Sequence, residues 1–368
     1  MEKSKVYFTN LRAKPGENLL QKLEKLIKTA GIGEIDFNKK FAAIKIHFGE
    51  PGNLAYLRPN YAKTVADVIK SFGGKVFLTD CNTLYVGRRK DGIEHMEAAY
   101  ENGYNPFTTG CHVIIADGIK GTNETIVPIN GEYVKNAKIG AAIMDADIII
   151  SLNHFKGHEQ AGFGGAIKNL GMGSGSRAGK MEMHSDGKPF IATKRCVGCG
   201  KCAKICAHDA ITFTDKKASI NLDKCVGCGR CIGVCAFDAV KPDYKVSMES
   251  FNCKMAEYSY AVVKERPHFH ISLLIDVSPF CDCHAENDMP LIPDVGMFAS
   301  FDPVAIDMAC ADMANKQPII HGCAIDEHCE HGDADHFHHM HPTTDWRGCL
   351  EHAQKIGVGS MNYELIEI

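Results

Sequence analysis

A duplicated cysteine pattern constrains the fold of this chain more than any other feature. The segment TKRCVGCGKCAKICAHDAI at 193–211 matches LDKCVGCGRCIGVCAFDAV at 222–240, so the cysteine-rich unit is an internal repeat. Both copies have the spacing C-x2-C-x2-C-x3-C. The N-terminus has no apolar signal segment, and in a long chain without one, thiols at short repeated spacing predict metal ligation rather than disulfides.

This spacing is typical of two [4Fe–4S] clusters that each take three cysteines from one copy and the fourth from the other. We therefore predict one cluster on Cys196, Cys199, Cys202 and Cys235, and a second on Cys225, Cys228, Cys231 and Cys206. The short loop CVGCG, present in both copies, can wrap three thiolates around one face of a cluster. A zinc site is the alternative, but zinc usually takes two separated C-x2-C pairs.

Outside the repeat, short apolar runs alternate with amphipathic segments. Strands are predicted at 5–10, 41–48, 75–80, 112–117, 147–152, 270–277 and 296–300, and helices at 17–31, 60–74 and 302–315. This alternation predicts an α/β fold with a largely parallel sheet covered by helices. We interpret residues 1–190 and 246–368 as the two parts of one α/β domain, with a small α+β unit inserted at 191–245. Three consecutive domains are the alternative, but the C-terminal part has too few strands to close its own core.

Charge and hydropathy exclude some classes of partner. The formal net charge is −4, with acidic and basic residues interspersed, so we expect no nucleic-acid partner. No apolar run reaches the roughly 18 residues of a membrane span. Together with the missing signal segment, this predicts a protein of the cytoplasm.

Polar side chains follow three of the predicted strands at the points where the strands end. In open α/β sheets, ligands bind beyond the carboxyl ends of the strands, so these side chains predict a pocket. Solvated loop polarity is the alternative for each residue taken alone. The predicted substrate-binding residues are Lys45, Asp80, Asn82, Lys156, Lys168 and Asn169, and the predicted catalytic residues are His47, His154 and His158.

The glycine-rich segment GFGGAIKN at 162–169 can begin a helix. Free N–H groups at such a helix start favour an anion, and Lys156 and Lys168 would add positive charge. Neither the G-x-G-x-x-G fingerprint nor the Walker pattern is complete here. We therefore favour a carboxylate or phosphate on a small substrate over a nucleotide.

Two further segments carry metal-ligand chemistry. In CDCH at 281–284, Cys281 and Cys283 could hold an additional metal ion or form a redox pair, and an ordinary loop with reduced thiols is the alternative. The His-rich segment at 321–342 could bind Zn, Ni or Cu, but its spacing is not specific. We favour a polar surface loop for that segment.

The motifs NHFKGHEQAGFGGAIKNLGMG, LTDCNTLYVGRR, CDCH and SFDPVAIDMA, together with the cysteine repeat, resemble the ferredoxin-bearing members of the domain-of-unknown-function 362 family. The repeat itself resembles the bacterial two-cluster ferredoxins, except that Ala207 and Ala236 stand where proline is usual. The resemblance implies an inserted cluster domain and a redox role, but no reaction. By motif position it points to Lys45, His47, Asp80, Asn82, His154, Lys156, His158, Lys168, Asn169, Cys281 and Cys283.

Three functions remain open from the sequence. The first is an oxidoreductase in which two [4Fe–4S] clusters pass electrons to a small anionic substrate or a metal site in the α/β domain. The second is a non-enzymatic electron-transfer module that docks a redox partner protein. The third is metal or cofactor handling.

Overall fold

The computed structural model describes residues 3–85, 87–185, 187–243, 247–326 and 335–368. Part of the His-rich segment, 327–334, lies outside the described residues. The strands are β1 (Ser4–Asn10), β2 (Phe41–Lys45), β3 (Lys75–Asp80), β4 (His112–Ile115), β5 (Glu124–Pro128), β6 (Asn136–Gly140), β7 (Ile148–His154), β8 (Lys156–His158), β9 (Gly162–Gly164), β10 (Pro189–Ile191), β11 (Ile211–Thr214), β12 (Lys217–Ile220), β13 (Val240–Pro242), β14 (His268–Leu274), β15 (Gly296–Ser300) and β16 (Tyr363–Glu367).

The helices surround the sheet on both faces, and Ile32–Glu34 forms a short 3₁₀ turn. They are α1 (Leu19–Thr29), α2 (Pro59–Ser71), α3 (Gly92–Glu101), α4 (Pro106–Thr109), α5 (Ala141–Asp145), α6 (Ala166–Ser174), α7 (Arg177–Ser185), α8 (Lys201–Ile205), α9 (Arg230–Gly233), α10 (Met248–Val263), α11 (Pro303–Asn315), α12 (His336–Met340) and α13 (Trp346–Lys355). None of the described helices is long and apolar enough to cross a membrane.

One eight-stranded sheet organises the α/β part, in the order β16-β1-β15-β14-β7-β2-β3-β4. Strand β15 pairs antiparallel with both its neighbours, and every other neighbouring pair is parallel. The predicted α/β fold with a largely parallel sheet covered by helices is therefore confirmed. The apolar runs explain it, because strands covered on both faces need apolar residues throughout. Strands from both sides of the cysteine-rich segment belong to this sheet.

Separate apolar clusters fill the two faces of the sheet. On one face, Ile69 of α2 packs in a cluster with Ile44 of β2. On the other, Leu170 of α6 and Val262 of α10 lie in a second cluster. The helix α11 begins as its sequence predicts, with the Asp302 side chain accepting hydrogen bonds at the N-cap and proline in the first turn.

Strand β2 is shorter than the predicted 41–48, since it ends at Lys45. The next N–H, that of Ile46, still donates to the carbonyl of Thr79 at 3.1 Å, and the chain then turns away at Gly49, where φ is 81°. His47 consequently lies in a loop at the carboxyl end of the sheet rather than on the strand.

The repeat in the cysteine-rich sequence is also a repeat in backbone conformation. Gly198 and Gly227, at matching positions of the two copies, have φ values of 71° and 72°, and Gly200 and Gly229 have 78° and 65°. Glycine adopts this left-handed region without the cost that a Cβ imposes. The repeat is bracketed by β10 and β13, which pair antiparallel with each other, and it contains the hairpin of β11 and β12.

Candidate functional site

A large cavity of about 620 Å³ opens at the carboxyl ends of β2, β3 and β7. Its size is typical of a small-molecule site. The predicted residues that line it are Lys45, His47, Asp80, His154, Lys156, His158, Lys168, Asn169 and Cys283. Two predicted residues lie elsewhere. Cys281 is fully buried behind the lining, and the Asn82 amide donates to Asp117 at 2.8 Å and to the carbonyl of Gly118 at 2.7 Å.

A buried ion pair forms the floor of the cavity. The ammonium of Lys45 lies 2.9 Å from Asp80 Oδ1 and donates to Asn169 Oδ1 at 2.7 Å. Burial alone would raise the pKa of Asp80, but the Lys45 ammonium holds it below its ordinary value. The Asn169 amide also donates to the carbonyl of Lys45 at 2.9 Å, which ties α6 to the end of β2.

His47 and His158 present the same tautomer to the cavity. The Nδ1 of His47 accepts from the N–H of Gly49 at 3.1 Å, and the Nδ1 of His158 accepts from the N–H groups of Gln160 and Ala161 at 3.1 and 3.0 Å. Burial and nearby cations lower the pKa of His47 and lower that of His158 to about 4. Both rings are therefore neutral at pH 7, and we assign their single proton to Nε2 from these contacts.

His154 is held differently, because both its ring nitrogens face acceptors. Nδ1 lies 2.8 Å from Asp282 Oδ1, and Nε2 lies 2.8 Å from the carbonyl oxygen of Ile275. Asp282 also pairs with the Lys156 ammonium at 3.3 Å. Burial would raise the pKa of Asp282, but His154 and Lys156 hold it well below its usual range. These bonds favour a positioning role for His154 over the predicted catalytic one.

The glycine-rich segment forms a hairpin before its helix begins. Strands β8 and β9 pair antiparallel, and α6 then starts at Ala166. The N–H groups of Ala166 and Ile167 donate to the carboxyl oxygens of Asp307 at 2.6 and 2.9 Å. The N–H groups expected to be free for an anion are thus occupied. Positive charge for a ligand comes instead from the lysine side chains of the lining.

Cys281 and Cys283 form a close group with His158. One ligand atom of each residue lies within 4.8 Å of the other two. The Lys168 ammonium donates to Cys281 Sγ at 3.2 Å. A hydrogen bond to Cys283, together with burial, raises the pKa of Cys281 to about 12, and the same hydrogen bond lowers the pKa of Cys283. Of the two thiols, Cys283 is therefore the more acidic.

Several charged residues of the lining were missed by the sequence reasoning. Arg89 is 1% exposed and pairs with Glu50 at 2.9 Å, and Lys180 of α7 donates to the carbonyl of Gly175 at 2.7 Å. Arg89 lies in the segment LTDCNTLYVGRR, whose resemblance to the family could have identified it as a site residue. No local pattern marked Lys180.

In the described part of the His-rich segment, two imidazoles serve the fold. His336 Nε2 lies 2.9 Å from the carbonyl oxygen of Gln317, and His341 Nε2 lies 2.8 Å from that of Pro279. Both rings are largely buried. These two histidines donate to the backbone rather than to a metal. The predicted polar surface loop is wrong at these positions, since His336–Met340 is the helix α12 and both rings are buried.

Two small cavities lie within the cysteine-rich segment. The cysteines lining the first are Cys196, Cys199, Cys202 and Cys235, and those lining the second are Cys206, Cys225, Cys228 and Cys231. They are the same two sets of four cysteines that the sequence predicts, each with three cysteines from one repeat copy and one from the other. Backbone N–H groups point at three of the sulfurs: Ala218 donates to Cys196 at 3.4 Å, Ala210 to Cys206 at 3.4 Å, and Ala239 to Cys235 at 3.3 Å.

Helix α7 lies between the cysteine-rich segment and the large cavity. Met181 of α7 and Leu84, in the loop after β3, belong to the apolar cluster that contains Cys196 and Cys202. Leu84 and the Lys180 side chain of α7 also line the large cavity. Helix α7 and Leu84 therefore contribute both to the large cavity and to the apolar cluster around Cys196 and Cys202.

Comparison with known proteins identifies the family to which this chain belongs. A family model described as Domain of unknown function (DUF362) matches residues 42–312. The chain belongs to this family. The match includes the cysteine repeat and every predicted residue of the large cavity. The DUF362 description states no activity, so the function has to be argued from the site.

The relatives found are distant. The chain is similar to the Thylakoid-associated protein sll1697 of Synechocystis sp., with 28% identity over 120 residues, and the match covers 33% of this chain and 34% of that protein. The chain thus matches about a third of the length of this curated relative. Two solved structures align at 12% identity. The lactate racemase apoprotein from Thermoanaerobacterium thermosaccharolyticum has a TM-score of 0.39, covering 73% of this chain and 51% of that one, and a Thermotoga maritima protein has 0.37, covering 76% and 54%.

Proposed function

We propose that this DUF362 protein is an iron–sulfur oxidoreductase that acts on a small anionic substrate in the large cavity. Two [4Fe–4S] clusters would be held by the crossed sets, Cys196, Cys199, Cys202 and Cys235 in one and Cys225, Cys228, Cys231 and Cys206 in the other. The observation that carries the proposal is that each set lines a cavity of its own. When bound, the clusters would supply single electrons.

The chemistry of the two cysteine sets fits clusters better than zinc. A single zinc ion holds four ligands at about 2.3 Å, so its sulfurs lie within about 4 Å of one another. Among the described residues, these eight cysteines contribute no group of three ligand atoms within 4.8 Å. The wider spacing suits a larger group. The N–H groups that point at Cys206 and Cys235 suit thiolates that carry negative charge.

The lining of the large cavity supports an anionic substrate. Lys168 and Lys180 have hydrogen bonds to a cysteine sulfur and to backbone carbonyls, whereas Lys45, Lys156 and Arg89 are each paired with a buried carboxylate. The first two lysines are thus the cations whose charge is available to a carboxylate or phosphate. The Nε2–H groups of His47 and His158 would donate to substrate oxygens and orient them.

The size of this cavity favours an enzyme over an electron-transfer module, since a docking module needs no enclosed substrate space. A redox partner protein would reach the clusters on the side of Cys199, which is exposed. The cysteines of the described residues are all free thiols, which suits a reducing cytoplasm.

Anaerobic purification tests the clusters. We expect about eight iron atoms and eight sulfides per chain, by analogy with two-cluster ferredoxins. Cys199→Ser and Cys228→Ser should each disturb one cluster, with electron paramagnetic resonance of the reduced protein showing the other. Cys111→Ser is the matched control, because this buried thiol lines neither cysteine cavity. Stoichiometric zinc in place of iron would contradict the proposal.

The substrate site has a separate test. The reduced holoprotein is mixed anaerobically with small oxidants that carry a carboxylate or phosphate group. Reoxidation of the clusters is followed by absorbance. His158→Ala should retain iron but lose reoxidation by any substrate that the wild type accepts. Unchanged rates would show that substrate is reduced outside the large cavity.

A further inference from the structure

We propose that Cys281 and Cys283 are a redox-active dithiol that exchanges with small anionic disulfides in the large cavity. This activity goes beyond the proposed function and does not depend on iron. The geometry that carries it is a pair of sulfurs within 4.8 Å of each other, one fully buried and one in the cavity lining.

A metal ion fits these residues less well than a dithiol. An imidazole that binds a metal through one nitrogen usually donates the N–H of the other nitrogen to an acceptor. Here the Nδ1 of His158 accepts from two backbone N–H groups, so metal binding at Nε2 would leave those donors facing an N–H. The Lys168 ammonium, 3.2 Å from Cys281 Sγ, also occupies a place at the sulfur that a divalent cation would need.

The two thiols have different positions and therefore different roles. Cys283 lines the cavity, whereas Cys281 is fully buried and contacts the Lys168 ammonium. A substrate in the cavity can therefore reach the sulfur of Cys283 but not that of Cys281. Cys283 is thus the sulfur that attacks the substrate, in its thiolate form, and Cys281 is the thiol that resolves the mixed disulfide.

The exchange balances without another reactant. The Cys283 thiolate attacks one sulfur of the substrate disulfide, the substrate S–S bond breaks, and the first half leaves as a thiolate. Cys281 then attacks Cys283 Sγ, which breaks the mixed disulfide and forms the Cys281–Cys283 bond. The second half leaves as a thiol that carries the proton from Cys281. A dithiol reverses the sequence and restores the pair.

The charge around the pair selects the substrate class. Lys168 contacts Cys281, and Lys180 lies in the same lining as Cys283. A disulfide with carboxylates should approach this lining faster than a neutral one of similar length. Electrostatic attraction of this kind raises association rates by about tenfold or more at low ionic strength.

The test uses the anaerobic holoprotein with two probes, dithiodipropionate and the neutral hydroxyethyl disulfide. After each reaction the chain is alkylated under denaturing conditions, and peptides are mapped by mass spectrometry. In the wild type, Cys281 and Cys283 should resist alkylation and carry no adduct, as an internal disulfide requires. Each rate is divided by that of the same probe with free cysteine, and the anionic probe should then be about tenfold faster.

Variants separate the two roles. Cys281→Ser should retain a mixed disulfide on Cys283, and Cys283→Ser should leave Cys281 unreacted. Cys310→Ser, a buried thiol outside the cavity lining, is the matched control and should behave as the wild type. The proposal is overturned if both wild-type thiols stay alkylatable, if a bound metal protects them, or if the neutral probe is as fast as the anionic one. These readouts are independent of iron content, so loss of the clusters would not be mistaken for loss of the dithiol.

Discussion

The carboxyl group of Asp307 accepts a 2.6 Å hydrogen bond from the N–H of Ala166, 141 residues earlier in the chain. A second bond, 2.9 Å long, comes from the N–H of Ile167. Gly165 is required beside this contact, because an added Cβ would lie 2.2 Å from the Asp307 carboxyl group. One buried acid on α11 therefore fixes the start of the helix that delivers Lys168 to the cavity.

Removing this acid should destabilise the protein. In Asp307→Ala, two buried N–H groups lose their acceptor, and we expect a loss of about 2–3 kcal/mol in the free energy of unfolding, measured by urea denaturation. Asp91→Ala is the control, because Asp91 caps α3 with two equivalent bonds at an exposed position. That change should cost about 1 kcal/mol. Equal losses in the two variants would show that burial of the Asp307 contact is unimportant.

The buried pair of Lys45 and Asp80 should be costly to break. Lys45→Met leaves the Asp80 carboxylate buried without its nearest cation, so we expect a loss of about 3–5 kcal/mol on thermal or urea unfolding. The double variant Lys45→Met with Asp80→Leu should recover a large part of this. Lys63→Met is the exposed control: its pair with Asp67 is about half accessible, so the change should cost less than about 1 kcal/mol. A double variant no more stable than Lys45→Met would contradict the account.

Sequence patterns predicted the parts of this fold that depend on neighbouring residues. Alternation and helical spacing predicted the sheet, and the Asp302 cap followed from residues within one turn. The patterns also predicted a pocket at the carboxyl ends of the strands. They missed contacts made across the chain. Asp307 accepts hydrogen bonds from the N–H groups that the glycine-rich segment was predicted to leave free, and Asp282 holds a nitrogen of His154 from 128 residues away. Such pairings depend on tertiary packing, which no local period encodes.

His95 should make the protein sensitive to acid. This imidazole is fully buried, and burial lowers its pKa to about 3 despite Asp80 at 3.7 Å. Below about pH 6.5 the unfolded chain binds a proton at this residue and the folded protein does not, so stability falls as the pH falls. The slope is about 1.4 kcal/mol per pH unit. His95→Gln should remove about 2 kcal/mol of the loss between pH 6.5 and 5, measured by urea unfolding at each pH. His112→Gln, at an exposed position of β4, is the control. An unchanged acid slope in His95→Gln would refute this assignment.

Substitutions at two glycines in the CVGCG loop of the first repeat copy can distinguish the cost of backbone strain from the cost of a steric clash. Gly198 and Gly200 both have left-handed φ, 71° and 78°. An added Cβ at Gly198 would lie 2.3 Å from the carbonyl oxygen of Lys216, whereas none of the described atoms lies within 4 Å of a Cβ at Gly200.

Gly200→Ala should therefore cost only the left-handed strain, about 1–2 kcal/mol, and keep its iron. Gly198→Ala carries the same strain and must also displace the loop between Cys196 and Cys199. Because the proposed first cluster needs both cysteines, this variant should lose about half of the iron that the wild type retains after anaerobic reconstitution and gel filtration. The signal of the second cluster in electron paramagnetic resonance should persist. Equal iron retention in the two variants would mean that this loop does not hold a cluster.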